Sequence, residues 1–197
     1  METKRINVLI ECAILIAMGT ILSLIEIPMP FGGGITAFSM VPILFLAYRY
    51  GIKWGLASGF VFSLLQLLFG WGNVIYASAA GAAGIAVCIV FDYIIAFTVL
   101  GFAGIFKYRL PGISGMIMGI VIVVALRFIS HLFSGGFIWY ELTKVWEADN
   151  PDNMVFKYGA WMYSFVYNSI YMGPELLSSL IISPFTFRLT KMRGLSI

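Results

Sequence analysis

The sequence predicts an all-α integral membrane protein with six transmembrane helices and both termini in the cytoplasm. Composition is the first observation: 61% of the 197 residues are hydrophobic and 11% are charged, whereas soluble domains are about 45–50% apolar and about 25% charged. The second observation is a series of long apolar runs. The third is that basic residues are concentrated in alternate segments between these runs. An aromatic content of 16% excludes a disordered chain. A net charge of +3, spread along the chain, does not fit a nucleic-acid-binding surface.

Six apolar runs, separated by charged residues or by Gly and Pro, predict the spans. A transmembrane helix needs about 20 apolar residues, so residues 1–197 are expected to form a single six-helix domain. The N-terminal run lacks a cleavage site and is interpreted as a retained first helix. The runs are continuous, which disfavours a β-barrel. The predicted spans are residues 7–26, 38–51, 54–70, 75–106, 112–138 and 158–187.

Basic residues give the orientation. In a six-span arrangement, nine of the 12 lysines and arginines fall on one side. They are Lys4 and Arg5 before the first span, Arg49 and Lys53 between the second and third, Lys107 and Arg109 between the fourth and fifth, and Arg188, Lys191 and Arg193 after the sixth. Positively charged loops stay in the cytoplasm, so this side is predicted to be cytoplasmic.

The predicted outer side holds a Gly/Pro loop at 27–37, a short turn at 71–74 and the longest loop at 139–157. Small residues also recur at spacings that let helices approach closely in lipid. Each such set indicates either packing inside the bundle or docking of another subunit. These residues are Ala13 and Ala17 in the first span, Gly101 and Gly104 in the fourth, and Gly115 and Gly119 in the fifth.

Several polar side chains fall inside the predicted spans, where polar groups are costly and indicate function. An indole face attracts a flat cation, and a carboxylate pairs with an amino group or a positive charge. The set therefore suits an aromatic, cationic, hydrogen-bonding solute. Its members are Asp92 in the fourth span, Arg127, His131 and Trp139 in the fifth, and Tyr163, Tyr167, Asn168, Tyr171 and Glu175 in the sixth.

Structural roles for the same residues remain as alternatives. Asp92 and Arg127 can form an ion pair between helices, and His131 can make an interhelical hydrogen bond. The tyrosines can anchor the helices at the membrane interface.

Several chemistries have no motif in this chain. GxxxxGK[ST], HExxH, GxSxG and Ser-x-x-Lys are absent from the sequence, so nucleotide, zinc and acyl-enzyme chemistry are disfavoured. The single histidine and the isolated Cys12 and Cys88 have no metal-ligand spacing. We expect no catalytic residue, metal or cofactor. A small intramembrane enzyme using Asp92, His131 and Arg127 remains an alternative, as does a proton-coupled carrier that works alone.

Five stretches of the chain carry a family resemblance: ECAILIAMGTILSLI, MVPILFLAYRYGIKWGLASG, FDYIIAFTVLGFAGIF, LRFISHLFSGGFIW and WMYSFVYNSIYMGPE. They resemble the thiamine-specific S components, the substrate-binding membrane subunits of energy-coupling-factor (ECF) vitamin transporters. The resemblance implies a protein of the bacterial cell membrane that captures thiamine from outside. It also implies delivery by reorientation against a scaffold transmembrane subunit coupled to two cytoplasmic ATPases. An S component for another vitamin or for a thiamine precursor is the alternative.

The resemblance also implies roles for individual residues. Ala13 and Ala17 match the small-residue motif that docks the first span onto the scaffold. The remaining matches concern the ligand. They are Asp92 for the pyrimidine-binding carboxylate, Tyr93 for the tyrosine beside it, His131 for the ring-contacting histidine, Gly135 for the glycine that contacts the ligand through its backbone, Trp139 for the stacking tryptophan, and Tyr163 and Asn168 for the tyrosine and asparagine of the last helix.

Two positions depart from the family pattern. Asp92 stands where glutamate is more familiar, so its ligand contact is expected to be longer or water-bridged. The stretch PMPFGGG stands where the family can supply a tryptophan lid, and Phe31 is its available aromatic residue. Arg127 is interpreted as structural, and the resemblance gives no role to Glu175.

Overall fold

Helices make up nearly all of the secondary structure, as the sequence predicts. The computed structural model describes residues 2–29, 34–36 and 38–192. Helix α1 (Glu2–Ser23) is followed by two short antiparallel strands, β1 (Ile27–Pro28) and β2 (Gly34–Ile35). The all-α class is confirmed, because this pair of two-residue strands is the only sheet in the described ranges.

Two helices then follow with almost no linker. α2 (Val41–Tyr50) is followed by Gly51, whose φ of +87° favours glycine, and α3 (Ile52–Phe69) begins at the next residue. The ten residues of α2 extend about 15 Å, half of the roughly 30 Å hydrocarbon core of a bilayer. The helical part of the second predicted span is therefore shorter than the hydrocarbon core.

The chain continues into one long helical run, Trp71–Gly104, whose winding changes along its length. The predicted outer turn at 71–74 is wrong, because these residues begin α4. The side chain of Asn73 donates a hydrogen bond to Oη of Tyr93 over 3.0 Å, so its amide has a partner inside the bundle. The run comprises α4 (Trp71–Ala77), a 3₁₀ turn (Ser78–Ala80), α5 (Gly81–Val87), a π-helical segment (Cys88–Ile95), α6 (Ala96–Thr98) and a 3₁₀ segment (Val99–Gly104).

A second long run, Ser114–Trp146, consists of α7 (Ser114–Ser134), a π-helical segment (Gly135–Trp139) and α8 (Tyr140–Trp146). The predicted loop from residue 139 is wrong up to residue 146. The stretch YELTKVW contains no Gly or Pro to stop the helix, and Glu141 and Lys144 form an ion pair of 3.3 Å one turn apart. A short helix, α9 (Met154–Lys157), lies in the remainder of that loop.

The last helix, α10 (Ala160–Met192), contains the sixth predicted span and differs between its two faces. Leu177 and Ile181, one turn apart, are 60% and 75% exposed, whereas Glu175, Ser179 and Ser183 are buried. By length and composition, four of the described helices qualify as membrane crossings: Arg5–Ser23, Ile52–Phe69, Trp71–Gly104 and Ser114–Trp146. The count of six and the side of the termini stay predictions.

Glycines allow the helices to pack at close range. A Cβ on Gly104 would collide with the carbonyl of Ala47, and one on Gly119 would collide with the carbonyl of Ala103. Gly101 packs in the same way against the backbone of Leu56. Of the two roles open for these glycines, packing inside the bundle is therefore the one they perform.

Candidate binding site

One cavity of about 670 Å³ lies between the Trp71–Gly104 helix, the Ser114–Trp146 helix and the first turns of α10. Its volume falls within the roughly 300–1,000 Å³ of small-molecule sites. Both π-helical segments border the cavity, and such segments are frequent at functional sites. All the predicted ligand-site residues line it, namely Asp92, Tyr93, His131, Gly135, Trp139, Tyr163 and Asn168.

The carboxylate of Asp92 is the polar centre of the cavity. Nδ1 of His131 lies 3.0 Å from Oδ1, which also accepts a hydrogen bond from the hydroxyl of Ser134. Oδ2 accepts from the indole Nε1 of Trp139 over 2.8 Å. The Asp92 side chain is 14% exposed. Three groups of the facing helix therefore fix the orientation of this partly buried carboxylate.

His131 presents an unused polar atom next to this carboxylate. Its Nε2 is buried and has no hydrogen-bond partner among the described residues. With Nδ1–H donating to Asp92, Nε2 of the neutral ring is an acceptor. A buried acceptor without a partner costs free energy, so a ligand that donates a hydrogen bond to Nε2 gains affinity. The interhelical hydrogen bond considered for His131 is present, and it runs to Asp92.

The charges that line the cavity are negative. Glu26 and Glu147 join Asp92, and none of the described lining residues is lysine or arginine. The predicted alternative of an Asp92–Arg127 ion pair is wrong, because Nη1 of Arg127 lies 2.5 Å from Oε2 of Glu175. Arg127 contacts the lining residue Phe97 at 4.6 Å from the ring centroid but does not itself line the cavity. The negative charge of the lining residues therefore favours a cationic solute.

Aromatic rings form much of the remaining wall. Tyr163 and Tyr167 stack at 5.9 Å, and Tyr167 meets Tyr171 edge-on at 5.6 Å. The ring centroid of Trp146 lies 6.4 Å from that of Trp139 and 5.9 Å from that of Tyr76. The negative faces of such rings attract a flat cation.

Three of the predicted hydrogen-bonding residues are already engaged by the protein. Oη of Tyr93 donates to the carbonyl of Gly70 over 2.8 Å, and the hydroxyl of Tyr163 donates to Oγ1 of Thr143 over 3.2 Å. The amide of Asn168 donates to the carbonyl of Ser164 over 2.8 Å. These groups hold the walls in place, which leaves Asp92 and His131 as the polar centre.

Gly135 sets the distance between the Ser114–Trp146 helix and α10. A Cβ at this position would collide with Oγ of Ser164 and lie 3.4 Å from Nδ2 of Asn168. The two helices therefore meet at the wall of the cavity because residue 135 has no side chain.

We expect Gly135→Ala to destabilise the fold by about 1–3 kcal/mol, the usual cost of overpacking, and to weaken ligand binding. Gly173→Ala is the matched control, because a Cβ at Gly173 meets nothing within 4 Å. Thermal unfolding of both variants checks this prediction. Equal melting temperatures for the two alanine variants would contradict it.

The sequence missed several lining residues. Ser134 is one serine in an apolar run and gives no signal by itself, although it lies one turn after His131 on the same face. Trp146 falls in the predicted loop at 139–157. Phe31, the predicted lid, lies outside the described residues. Ala13 and Ala17 are exposed on α1, on a face turned away from the bundle.

The fold and this cavity define a polytopic helical protein with a small-solute site enclosed between its helices, as in solute-binding transport proteins. Residues 9–193 match the sequence profile described as "Thiamine transporter protein", so the chain belongs to the thiamine transporter family. The family predicted from the motifs is confirmed.

Two individual proteins resemble this chain. "Thiamine transporter ThiT" of Bacillus subtilis (strain 168) is 28% identical over 194 residues, with 92% of this chain and 90% of that protein covered. A solved structure of ThiT from Listeria monocytogenes matches with a TM-score of 0.71 at 24% identity and covers 96% of this chain and 98% of that one. The structural likeness shows that the fold is shared.

Proposed function

We propose that this protein is a thiamine-binding S component, which captures thiamine from outside the cell and delivers it inward with an ATP-driven ECF module. One observation carries the proposal: a partly buried carboxylate, held by three donors, lies in a cavity whose described lining has no lysine or arginine. Thiamine combines a hydrogen-bonding aminopyrimidine with a flat thiazolium cation. A site for it needs both an anion and aromatic faces.

Asp92 and His131 are assigned to the aminopyrimidine. The amino group of the ligand is a donor, and the available acceptors are the Asp92 oxygens and the unpartnered Nε2 of His131. The rings of Trp139, Trp146 and Tyr167 are placed to stack on the heterocycles and to face the thiazolium charge. Because Trp146 lies at the cavity, it is also available for the aromatic closure that the family can supply from the first outer loop.

The proposed topology has six spans, with both termini in the cytoplasm of a bacterial cell. The alternation of basic residues supports it. α10 supports it as well, because its buried polar residues explain its low hydropathy while Leu177, Ile181 and Phe185 present an apolar outer face. The Asp92 cavity then opens toward the outside.

Coupling to an ECF module is supported by two features of the chain. The sequence has no P-loop, so ATP hydrolysis is assigned to partner subunits. Ala13 and Ala17 are exposed on α1, where small side chains allow another helix to approach closely. This face is the proposed contact with the scaffold.

The testing experiment is a titration of purified, ligand-free protein in detergent with thiamine, followed by intrinsic tryptophan fluorescence and by calorimetry. We expect saturable one-to-one binding without turnover, and thiamine accumulation in proteoliposomes only when the scaffold and ATPases are added. Binding of another vitamin instead of thiamine would contradict the proposed substrate. Uptake by the protein alone would support the proton-coupled carrier.

Phosphorylation of the ligand is expected to weaken binding. Thiamine pyrophosphate brings negative charge to a cavity that contains Asp92, Glu26 and Glu147, and like charges brought together cost several kcal/mol. Arg127 cannot compensate, because Glu175 holds it. Competition calorimetry should rank thiamine above its monophosphate and pyrophosphate. An equal or tighter constant for the pyrophosphate would contradict the negative character of the site.

A further inference from the structure

A second cavity of about 300 Å³ lies at the opposite end of the bundle from Asp92. On α10 it reaches Phe187 and Lys191, whereas the first cavity ends at Tyr171. Phe187 follows Tyr171 by sixteen positions on the same helix, which corresponds to roughly 24 Å along the axis. The two cavities are therefore separate sites.

Three basic side chains surround this second cavity: Arg49, Lys107 and Lys191. No aspartate or glutamate belongs to the part of its lining that the structure describes. Nζ of Lys107 donates to the carbonyl of Arg49 over 2.7 Å, and Nζ of Lys191 lies 4.7 Å from the centroid of the Phe187 ring. Neither ammonium group forms an ion pair in the described ranges, so both keep donors for an anion.

Arg49 supplies a buried donor. Its side chain is 6% exposed, and its Nη1 pairs with Glu11 at 3.2 Å. Its Nη2 is buried without a hydrogen-bond partner among the described residues. An unpartnered buried N–H of a charged group is costly. An anionic oxygen in the cavity that Arg49 lines would remove this cost.

We propose that this second cavity binds a phosphate group, and that its source is the headgroup of an anionic phospholipid. Phosphate oxygens suit a guanidinium flanked by two ammonium groups. All three basic residues belong to the positively charged side of the predicted topology, and basic pockets between transmembrane helices on that side bind anionic headgroups. The site does not depend on thiamine.

The test measures thermal unfolding and native mass spectra of delipidated protein with short-chain phosphatidylglycerol, short-chain phosphatidylcholine or inorganic phosphate. We expect phosphatidylglycerol to bind and to raise the melting temperature more than phosphatidylcholine does. Lys191→Gln should weaken this binding roughly fivefold, and Lys107→Gln/Lys191→Gln roughly twenty-five-fold, since each lysine near an anionic headgroup contributes about 1 kcal/mol.

Lys53→Gln is the matched control, because Lys53 is an exposed lysine of the same predicted side that does not line the cavity. It should bind phosphatidylglycerol as the unaltered protein does. If inorganic phosphate gives the same lysine-dependent stabilisation, the phosphate site is supported and its source becomes a soluble anion. Equal effects of both lipids, or equal binding by Lys191→Gln and Lys53→Gln, would overturn the proposal. Lys191→Gln keeps the test valid if the double variant does not fold.

Discussion

Replacement of Asp92 by asparagine is expected to weaken thiamine binding by about 2–5 kcal/mol, the range for removing one member of a buried charged pair. This corresponds to roughly a thirtyfold or larger rise in the dissociation constant. The substitution removes the anion that faces the ligand cation. It leaves the side-chain volume almost unchanged, so the effect reports charge and hydrogen bonding.

The hydrogen bonds of Asp92 explain why an amide cannot replace the carboxylate. One oxygen accepts from His131 and Ser134, and the other accepts from Trp139. An asparagine turns one of these acceptors into an NH₂ donor. An NH₂ group turned toward Trp139 faces the indole N–H, donor against donor. An NH₂ group turned toward His131 and Ser134 requires the imidazole tautomer and the hydroxyl to change roles.

Asp152→Asn is the control, because the Asp152 side chain is 97% exposed and outside the cavity. Calorimetry with thiamine and thermal unfolding without it separate two outcomes. Lost affinity with a nearly unchanged melting temperature identifies a ligand contact. Normal affinity with a lowered melting temperature would make Asp92 a structural residue and contradict its assigned role.

Most residues of the candidate site could be predicted because they are polar side chains in apolar runs, whereas Tyr93 and Gly135 are implied only by the family resemblance. The residues that each of these side chains contacts could not be predicted. Arg127 and His131 lie one turn apart on α7, yet His131 contacts Asp92 and Arg127 contacts Glu175. The π-helical segment Cys88–Ile95 changes the rotation of the helix that carries Asp92. The sequence does not show this rotation. From the spacing on α7 alone, either Arg127 or His131 could be the partner of Asp92.

Trp146 shows how an error in one helix boundary removes a site residue. The sequence predicts that the fifth span ends at residue 138, whereas the helix continues to Trp146. Trp146 follows Trp139 by seven residues, which is two helical turns and the same face. A helix extended through YELTKVW would have placed both indoles at one cavity. The aromatic and acidic residues of that stretch are typical of an outer loop, and tertiary contacts override that tendency.

The second large expected effect concerns the buried pair of Arg127 and Glu175. Their side chains are 6% and 3% exposed, and Nη1 of Arg127 lies 2.5 Å from Oε2 of Glu175. Arg127→Met leaves the carboxylate without its cation, and Glu175→Gln leaves the guanidinium without its anion. Each single substitution is expected to cost about 3–5 kcal/mol, because it leaves an uncompensated charge in a dry interior.

Glu175 also holds the first loop in place. Its Oε1 accepts a hydrogen bond from Oγ1 of Thr36 over 2.9 Å, and Thr36 follows β2, whose Gly34 lines the cavity. Thr36→Val removes this hydrogen bond and keeps the ion pair. It should lower stability by about 1.5–3 kcal/mol, the usual contribution of a hydrogen bond to a charged group. A smaller loss of stability for Thr36→Val than for Arg127→Met or Glu175→Gln would distinguish the contribution of the ion pair from that of the loop hydrogen bond.

Thermal unfolding of the ligand-free protein measures the series, with Glu141→Gln as control. The Glu141–Lys144 pair is exposed, so its loss should cost less than about 1 kcal/mol. Arg127→Met/Glu175→Leu removes both charges and retains apolar volume, so it should be more stable than either single variant. A double variant less stable than both would show that the pair contributes net stability. Single variants no less stable than Glu141→Gln would show that water or lipid reaches the pair, and the dry interior inferred for this layer would be wrong.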